Sequence, residues 1–287
     1  MATTEKAPAA VRRRGRPRLL AHLGLILGAM LMLYPLIWML ASSFKPTEEI
    51  FTHPGLWSDN FSGQNYVDGW TALPHPFQHY ILNSLIVVAG SILGNLLACS
   101  AAAYAFARLE FRFKRVWFAI MLGTIMLPIH VIIVPQYVLF SQLGWINTFW
   151  PLIVPKLLAT DAFFIFLMVQ FIRVIPKELD EAARIDGCGH FGIFWRIILP
   201  MSTPALATTA IFTFIWTWND FFSQLIFLTD PDMYTVPVAL RTFVDASTQT
   251  PWGPVFALSL VSLGPIFGFF LAGQRYLVRG IATTGLK

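Results

Sequence analysis

The sequence PKELDEAARIDG at residues 176–187 runs on to IILP at residues 197–200. It is the densest group of charged residues in a chain that is only 12% charged, and apolar segments lie on both sides of it. Pro176 suits the first turn of a helix, the acidic residues after it suit the positive end of the helix dipole, and Gly187 suits a left-handed helix end. The stretch therefore predicts a short helix in water between two apolar segments.

This predicted helix has a small apolar face. Leu179, Ala182 and Ala183 fall at positions i, i+3 and i+4, while Glu181 and Arg184 remain on the polar side. Because alanine side chains are short, another protein surface can approach such a face closely. We interpret the helix as a docking element.

The remainder of the chain has the composition of an integral membrane protein. Of its 287 residues 56% are hydrophobic and only 12% are charged. In a soluble domain about 25% of the residues are charged. A membrane span needs about 20 apolar residues. Six segments meet this length, at residues 19–40, 81–106, 116–137, 150–172, 205–228 and 255–273.

The Lys and Arg residues predict the orientation of these spans. Of the 20, 17 lie at the two termini or in the loops after the second and fourth segments. Since cytoplasmic loops are enriched in Lys and Arg, both termini and the loop at about 173–200 are predicted to be cytoplasmic. The net charge of +5 is then a consequence of topology, and nucleic-acid binding is not expected. We expect an all-α fold with six transmembrane helices in residues 19–287, after a basic disordered extension, residues 1–18, that meets anionic lipid.

The pattern Glu181-Ala182-Ala183, Gly187 and Ile197-x-Leu199-Pro200 resembles the cytoplasmic EAA loop of ABC-importer permeases. The resemblance implies the type I importer fold and a coupling helix that sits in a cleft of the ATP-hydrolysing subunit. The alternative is an ordinary cytoplasmic helix–turn–helix between two spans. The residues predicted to couple to the ATPase are Glu181, Ala182, Ala183, Asp186, Gly187, Leu199 and Pro200.

The fifth segment carries a polar stripe, because Thr209, Thr213, Trp216, Asp220, Ser223 and Gln224 recur at steps of three and four. An ionisable residue within a span marks a transport pathway by default, and tryptophan rings beside amide and carboxylate groups suit a sugar. The sequence WTWNDFF at 216–222 also resembles the Trp-Asn-Asp/Glu element of carbohydrate-importer permeases. Structural roles for Asn219 and Asp220, or a proton relay through Asp220, are the alternatives. The predicted pathway residues are Asn95, Trp216, Asn219, Asp220 and Ser223.

Three features of other spans also lead to predictions. Gly90, Gly94 and Ala98 sit four apart in the second span, so a neighbouring helix is expected to pack closely there. For Asn95 a hydrogen bond to another helix is the alternative to a pathway role. In the fourth span Lys156 and Asp161 are about 140° apart on a regular helix and are not expected to pair unless a proline distorts it.

The long outer loop, residues 41–80, is expected to form an irregular cap. Its Ser43-Phe44-Lys45-Pro46 resembles a sequence that sugar-importer permeases carry after the first span. Two interpretations remain open for this loop. It contacts an extracytoplasmic binding protein, or it is a simple lid over the helix ends.

The sequence contains no G-x-x-x-x-G-K-[ST], no paired Cys/His ligand set and no readable nucleophile–base group. We therefore expect no enzyme activity, cofactor or metal in this chain, with ATP and Mg²⁺ on a partner ATPase. The resemblance is to the permease of the maltose-transporter type in a bacterial cell membrane. It implies a second homologous permease subunit, an ATPase dimer, an extracytoplasmic solute-binding protein and a sugar or oligosaccharide cargo. A cargo of glycerol 3-phosphate or another polyol, and an ATP-independent secondary carrier, are the alternatives.

Overall fold

The computed structural model describes residues 16–245 and 250–284, with side chains for residues 21–244 and 250–275. The predicted disordered extension, residues 1–18, lies outside these ranges except for the first backbone turn of α1. All regular elements in the described ranges are helical.

Short connections divide the chain into many helices. The first eight are α1 Arg16–Ser43, α2 Glu49–Thr52, α3 Gln64–Thr71, α4 Phe77–Gly94, α5 Ser100–Arg108, α6 Lys114–Thr124, α7 Ile129–Gln142 and α8 Trp150–Leu157. The others are α9 Ala162–Val174, α10 Glu178–Ile185, α11 His190–Ile193, α12 Leu199–Met201, α13 Thr203–Trp218, α14 Phe222–Phe227, α15 Val236–Asp245 and α16 Trp252–Thr284. π-helical turns at Asn95–Cys99 and Phe194–Ile198 join α4 to α5 and α11 to α12.

Four described helical segments are long and apolar enough to cross a membrane: α1, α4 with α5, α8 with α9, and α16. Two further pairs qualify only if each bent pair is counted as one span. They are α6 with α7, bent by 99°, and His190–Met201 with α13, bent by 75°. With these pairs the total is six, as predicted.

The third predicted span is not a straight helix. Residues 116–137 include the break between α6 and α7, and α7 begins directly after Pro128. Proline has no N–H and disfavours helical backbone in the residue before it. The bend therefore follows from Pro128.

The fifth predicted span, residues 205–228, is also divided, since α13 ends at Trp218 and α14 begins at Phe222. The Asn219 side-chain amide donates to Ile215 O at 2.7 Å, and Asp220 Oδ1 accepts from the backbone N–H of Ser223 at 3.0 Å. Side chains that bond nearby backbone groups compete with a continuing helix. The prediction of one polar stripe along a single helix is therefore wrong.

The second span packs closely on the fourth through its glycines. A Cβ atom on Gly90 would lie 2.8 Å from the Ile153 side chain, and one on Gly94 would lie 2.9 Å from the backbone of Lys156 and Leu157. This confirms the predicted close approach of a neighbouring helix. The buried apolar residues around it form three clusters. One surrounds α5, α9 and the loop that contains α10, one surrounds α4, α13, α15 and α16, and one surrounds α7, α8 and α14.

A buried lysine organises the outer loop. Lys45 is fully buried, and its ammonium donates to His53 O at 3.0 Å and to Gly55 O. The side chain of Asn65 donates to the carbonyls of Ser43 and Lys45. Because the carbonyl groups satisfy a charge that would be costly to bury alone, the 43–46 segment holds the cap together.

Hydrogen bonds from Ser58 and Asn60 to Glu49 lower the pKa of its carboxyl group.

We expect Gly94→Ala to destabilise the protein by about 1–3 kcal/mol, because the added methyl group meets the α8 backbone, which cannot move aside like a side chain. Thermal unfolding of the purified protein in detergent measures this effect. The matched control is Gly123→Ala in α6, where the added Cβ meets nothing within 4 Å. Since alanine favours a helix over glycine, the control should be neutral or stabilising. Equal melting temperatures for the two variants would contradict the close α4–α8 contact.

Candidate functional site: coupling loop and membrane pathway

The helix α10 ends as the sequence predicts. Gly187 has φ +82°, the left-handed conformation in which glycine is unstrained. The N–H of Cys188 donates to Ala183 O at 2.9 Å, and the N–H of Gly187 donates to Arg184 O at 3.0 Å. These two bonds form a Schellman motif, which closes the helix and sets the direction of the chain after it.

The three residues of the predicted apolar face of α10 are divided between a buried side and an exposed side of the helix. Ala183 is buried in the cytoplasmic core, and Asp180 is buried beside it. Leu179 and Ala182 point to the outside, and Ile185 is 87% exposed. Leu179 and Ala182 therefore do not share a face with Ala183, because the interior of the protein takes the side that carries Asp180.

A buried ion pair holds α10 against α5. Arg108 Nε lies 3.1 Å from Asp180 Oδ2, with side-chain exposures of 2% and 8%. Arg108 Nη2 also donates to the carbonyl of Ile175 at 2.7 Å, just before the loop. The Nε contact has the distance of an ion pair but lacks hydrogen-bond geometry, so Arg108 Nε makes no hydrogen bond, and the other carboxylate oxygen, Asp180 Oδ1, makes none either. The sequence analysis missed this pair, since an arginine at the cytoplasmic end of a span is an ordinary topology signal.

The rest of the loop is divided between core and surface. Ile198 is fully buried, Leu199 packs against the same core cluster, and Pro200 is exposed. The Tyr104 hydroxyl lies 3.3 Å from His190 Nδ1, which ties the start of α11 to α5. Among the other predicted coupling residues, the exposed ones are Glu181, Ala182, Asp186 and Gly187.

A second polar cluster lies within the membrane-spanning region, at the break between α8 and α9. Lys156 Nζ lies 3.0 and 2.9 Å from the two carboxylate oxygens of Asp161. Asn95 Nδ2 donates to Asp161 Oδ2 at 2.7 Å and to Thr213 Oγ1 at 3.0 Å. The cluster therefore joins the second, fourth and fifth spans.

The expectation that Lys156 and Asp161 stay apart holds only for a regular helix, and here the helix is interrupted. α8 ends at Leu157, and Ala159 has φ +57°, a conformation that costs a non-glycine residue about 1–2 kcal/mol. The change of chain direction at this interruption brings the side chains of Lys156 and Asp161 together. Strain of this kind persists where surrounding contacts hold it in place, and it is frequent at functional sites.

An aromatic platform adjoins this cluster, with Phe164 buried and the other three rings exposed. We use this name for Trp216, Phe163, Phe164 and Phe212, because the tryptophan ring lies 5.3, 5.2 and 5.8 Å from the three phenylalanine rings. The first turn of α9 follows Asp161 directly, so the polar cluster and the platform are joined through one short segment. Trp216 is 49% exposed.

The remaining predicted pathway residues have mixed environments. Asn219 is exposed, Asp220 and Ser223 are half-buried, and Asn95 is buried. Three residues of the predicted stripe, Thr209, Thr213 and Gln224, are buried within the bundle. The structure thus brings Asn95 to Asp161 and Thr213, while Asn219 and Asp220 bond their own backbone.

Interrupted spans around a paired charge, with a water-exposed helix anchored to them, are the architecture of a polytopic membrane transport subunit. The model of the family described as binding-protein-dependent transport system inner membrane component matches residues 90–282, and the chain belongs to this family. It is accordingly a multi-pass protein of the bacterial inner membrane and a permease component of an ABC importer.

Three comparisons illustrate the relationship. The chain is 40% identical over 254 residues to the probable ABC transporter permease protein YurM of Bacillus subtilis, covering 88% of this chain and 83% of that one. It is 34% identical over 270 residues to the trehalose/maltose transport system permease protein MalG of Thermococcus litoralis, covering 94% and 97%. In fold it is similar to a chain of a bacterial ABC transporter involved in the import of the acidic polysaccharide alginate. That match has a TM-score of 0.79 and 21% identity, and it covers 93% of this chain and 99% of the other.

We expect Asp180→Asn to destabilise the protein by about 3–5 kcal/mol, because Arg108 would remain buried without a counter-charge. Unfolding in detergent gives the measurement. The double variant Arg108→Met/Asp180→Leu should recover most of the lost stability, since it leaves no buried charge. Glu110→Gln is the control, because that carboxylate pairs with Lys114 while 88% exposed, and surface pairs contribute about 0–1 kcal/mol. A similar loss for both single variants would contradict the special role of the buried pair.

Proposed function

We propose that this chain is one of two homologous permease subunits in an ATP-driven importer of a sugar or oligosaccharide. In this proposal an ATPase dimer binds ATP and Mg²⁺, and an extracytoplasmic binding protein delivers the cargo. This chain forms half of the pathway and hydrolyses nothing itself. The observation that carries the proposal is the exposed apolar side of α10, on a helix that is anchored to the spans.

The exposed side of α10 has the properties of a protein docking surface. Ile185 is 87% exposed and Phe191 is 77% exposed, in a loop that also carries Glu178, Glu181 and Arg184. The charged neighbours keep this loop out of the lipid, so another protein surface is the natural cover for its apolar residues. A cleft of the ATPase that receives α10 would bury Ile185, and one that also covers α11 would bury Phe191, with the charges left at the rim.

The same contacts explain how movement of the ATPase would reach the membrane. Closure of the ATP-bound dimer pushes on α10, which cannot slide freely because Asp180 is paired with Arg108 of α5. Ala183 packs into the cluster that includes Ile165, Met168 and other residues of α9. The displacement therefore passes to the second and fourth spans and opens the cavity outward while the binding protein releases its cargo. Hydrolysis then returns the cavity to the inward-open state.

We expect Gly187→Val to leave the complex in the membrane but to abolish most of the cargo-stimulated ATP hydrolysis. A β-branched residue at φ +82° is strained, so the Schellman turn and the angle of α10 would change. The matched control is Gly189→Val, two residues further on, where φ is −74° and no atom lies within 4 Å of the added Cβ. The measurement is ATPase activity of the purified complex with and without loaded binding protein. Normal stimulation in Gly187→Val, or uptake that persists after ATP depletion, would contradict the proposal.

A neutral sugar is the cargo that the pathway residues suit best. Trp216 offers an exposed ring face in the aromatic platform, and Asn219 offers an exposed amide nearby in the chain. Lys156 is neutralised by both oxygens of Asp161, so it offers little to a phosphate group. This favours a sugar over glycerol 3-phosphate. The relative from Thermococcus litoralis, a trehalose/maltose permease by name, supports the same choice.

We expect Trp216→Ala to raise the cargo concentration needed for half-maximal uptake about fivefold, from the loss of an aromatic contact of about 1 kcal/mol. Uptake into proteoliposomes, with candidate disaccharides and oligosaccharides at several concentrations, is the measurement. Trp57→Ala serves as control because that ring is 80% exposed on the outer loop, away from the platform. An unchanged concentration dependence in Trp216→Ala would remove this residue from the pathway.

A further inference from the structure

A cavity of about 580 Å³ lies at the cytoplasmic end of the spans, between the start of α6 and the last turn of α9. Its polar lining consists of Lys114, Arg115, Arg173 and Glu110, and phenylalanine rings form much of the rest. Arg173, in the last turn of α9, stands at the first position of the predicted loop, residues 173–200, and the other lining residues lie outside that loop and outside the polar cluster around Asp161.

The charges in this cavity do not balance. Glu110 pairs with Lys114 at 3.2 Å, which leaves the two arginines. Arg173 lies over the ring of Phe118 at 5.3 Å, an orientation that directs the guanidinium without neutralising it. Among residues 21–244 and 250–275 neither Arg115 nor Arg173 has a carboxylate within salt-bridge distance. The cavity therefore has an excess of two positive charges.

The surroundings place the cavity at the boundary between lipid and water. α6 has no buried residue, and Val116, Trp117 and Ile120 are each more than half exposed. An apolar helix with this much exposed side chain suits a lipid environment, and tryptophan is enriched at the membrane interface. Arg173, at the other side of the cavity, immediately precedes the cytoplasmic loop.

We propose that this cavity binds the headgroup of an anionic phospholipid from the cytoplasmic leaflet. Arg115 and Arg173 would hold the phosphate oxygens, because guanidinium groups match phosphate geometry. Phe106 and Phe118 would contact the glycerol and the upper acyl chain, whose remainder would follow the exposed face of α6. Basic pockets between transmembrane helices on the cytoplasmic side are suited to such headgroups.

The lipid site adjoins the coupling loop but is distinct from it. A second cavity of about 520 Å³, lined by Arg108, Asp180, Glu181 and Arg184 among others, lies beneath α10. Glu110 borders both cavities. In the second cavity carboxylates accompany the cations, so only the first has the charge that an anionic headgroup requires.

The test compares lipids retained by the complete complex after purification in mild detergent. Mass spectrometry counts bound phosphatidylglycerol and phosphatidylcholine after an equal mixture of the two is supplied. We expect the natural chain to select phosphatidylglycerol and Arg115→Gln/Arg173→Gln to lose at least about tenfold of this bound lipid. Arg112→Gln is the matched control, because Arg112 lies in the same loop over the Phe113 ring and does not line the cavity.

A second variant separates loss of binding from loss of folding. Arg115→Lys/Arg173→Lys keeps both charges and should retain most of the phosphatidylglycerol. Equal retention by the Gln and natural chains would overturn the proposal. Binding of inorganic phosphate without lipid selectivity would overturn the lipid assignment and indicate a site for a soluble anion. Loss of the ATPase from the Gln variant with unchanged lipid would also overturn the proposal, since it would assign the cavity to a protein contact.

Discussion

The ion pair between Arg108 and Asp180 is the contact on which the cytoplasmic half of the molecule depends. A short helix of eight residues is not stable alone in water, and α10 gains its position from this pair and from Ala183 in the core. Because Arg108 lies at the end of the second span, the loop is connected directly to the membrane part. The outward side of α10 is then free to meet another protein.

The membrane-spanning part also pairs the charged side chains that it holds between its helices. Lys156 and Asp161 meet across an interruption of the fourth span, and Asn95 adds a hydrogen bond from the second. The interruption between the two residues contains Ala159 in the left-handed conformation. A bend near Pro128 and the end of α13 at Trp218 interrupt two further apolar segments. Irregular backbone at this depth is tolerated only where protein or a water-filled cavity surrounds it, so these interruptions are consistent with a transport pathway.

Local physical rules explain which predictions succeed. The end of α10 at Gly187 and the close approach at Gly94 each depend on a few neighbouring residues, and both are confirmed. Of the six predicted spans, four correspond to helical segments long and apolar enough to cross a membrane, and the total reaches six only when two bent pairs are counted. The polar stripe fails as a single helical face because side chains at Asn219 and Asp220 bond the local backbone instead. The apolar face of α10 is divided because the core takes the side with Asp180. In both cases helical periodicity gives the spacing of the side chains correctly, but it does not predict which hydrogen bonds and packing contacts those side chains form.

The sequence by itself determined the class of this protein through its hydrophobic spans and the loop pattern by which it resembles importer permeases, and it predicts the side on which the loops lie. Those properties depend on composition and on short-range spacing, which are written directly along the chain. Only the tertiary structure decided that Arg108 meets Asp180, that Lys156 meets Asp161, and that Arg173 faces the basic start of α6. Such pairings depend on how helices pack and on where they are interrupted, and the free energy of burying a charge selects the partner.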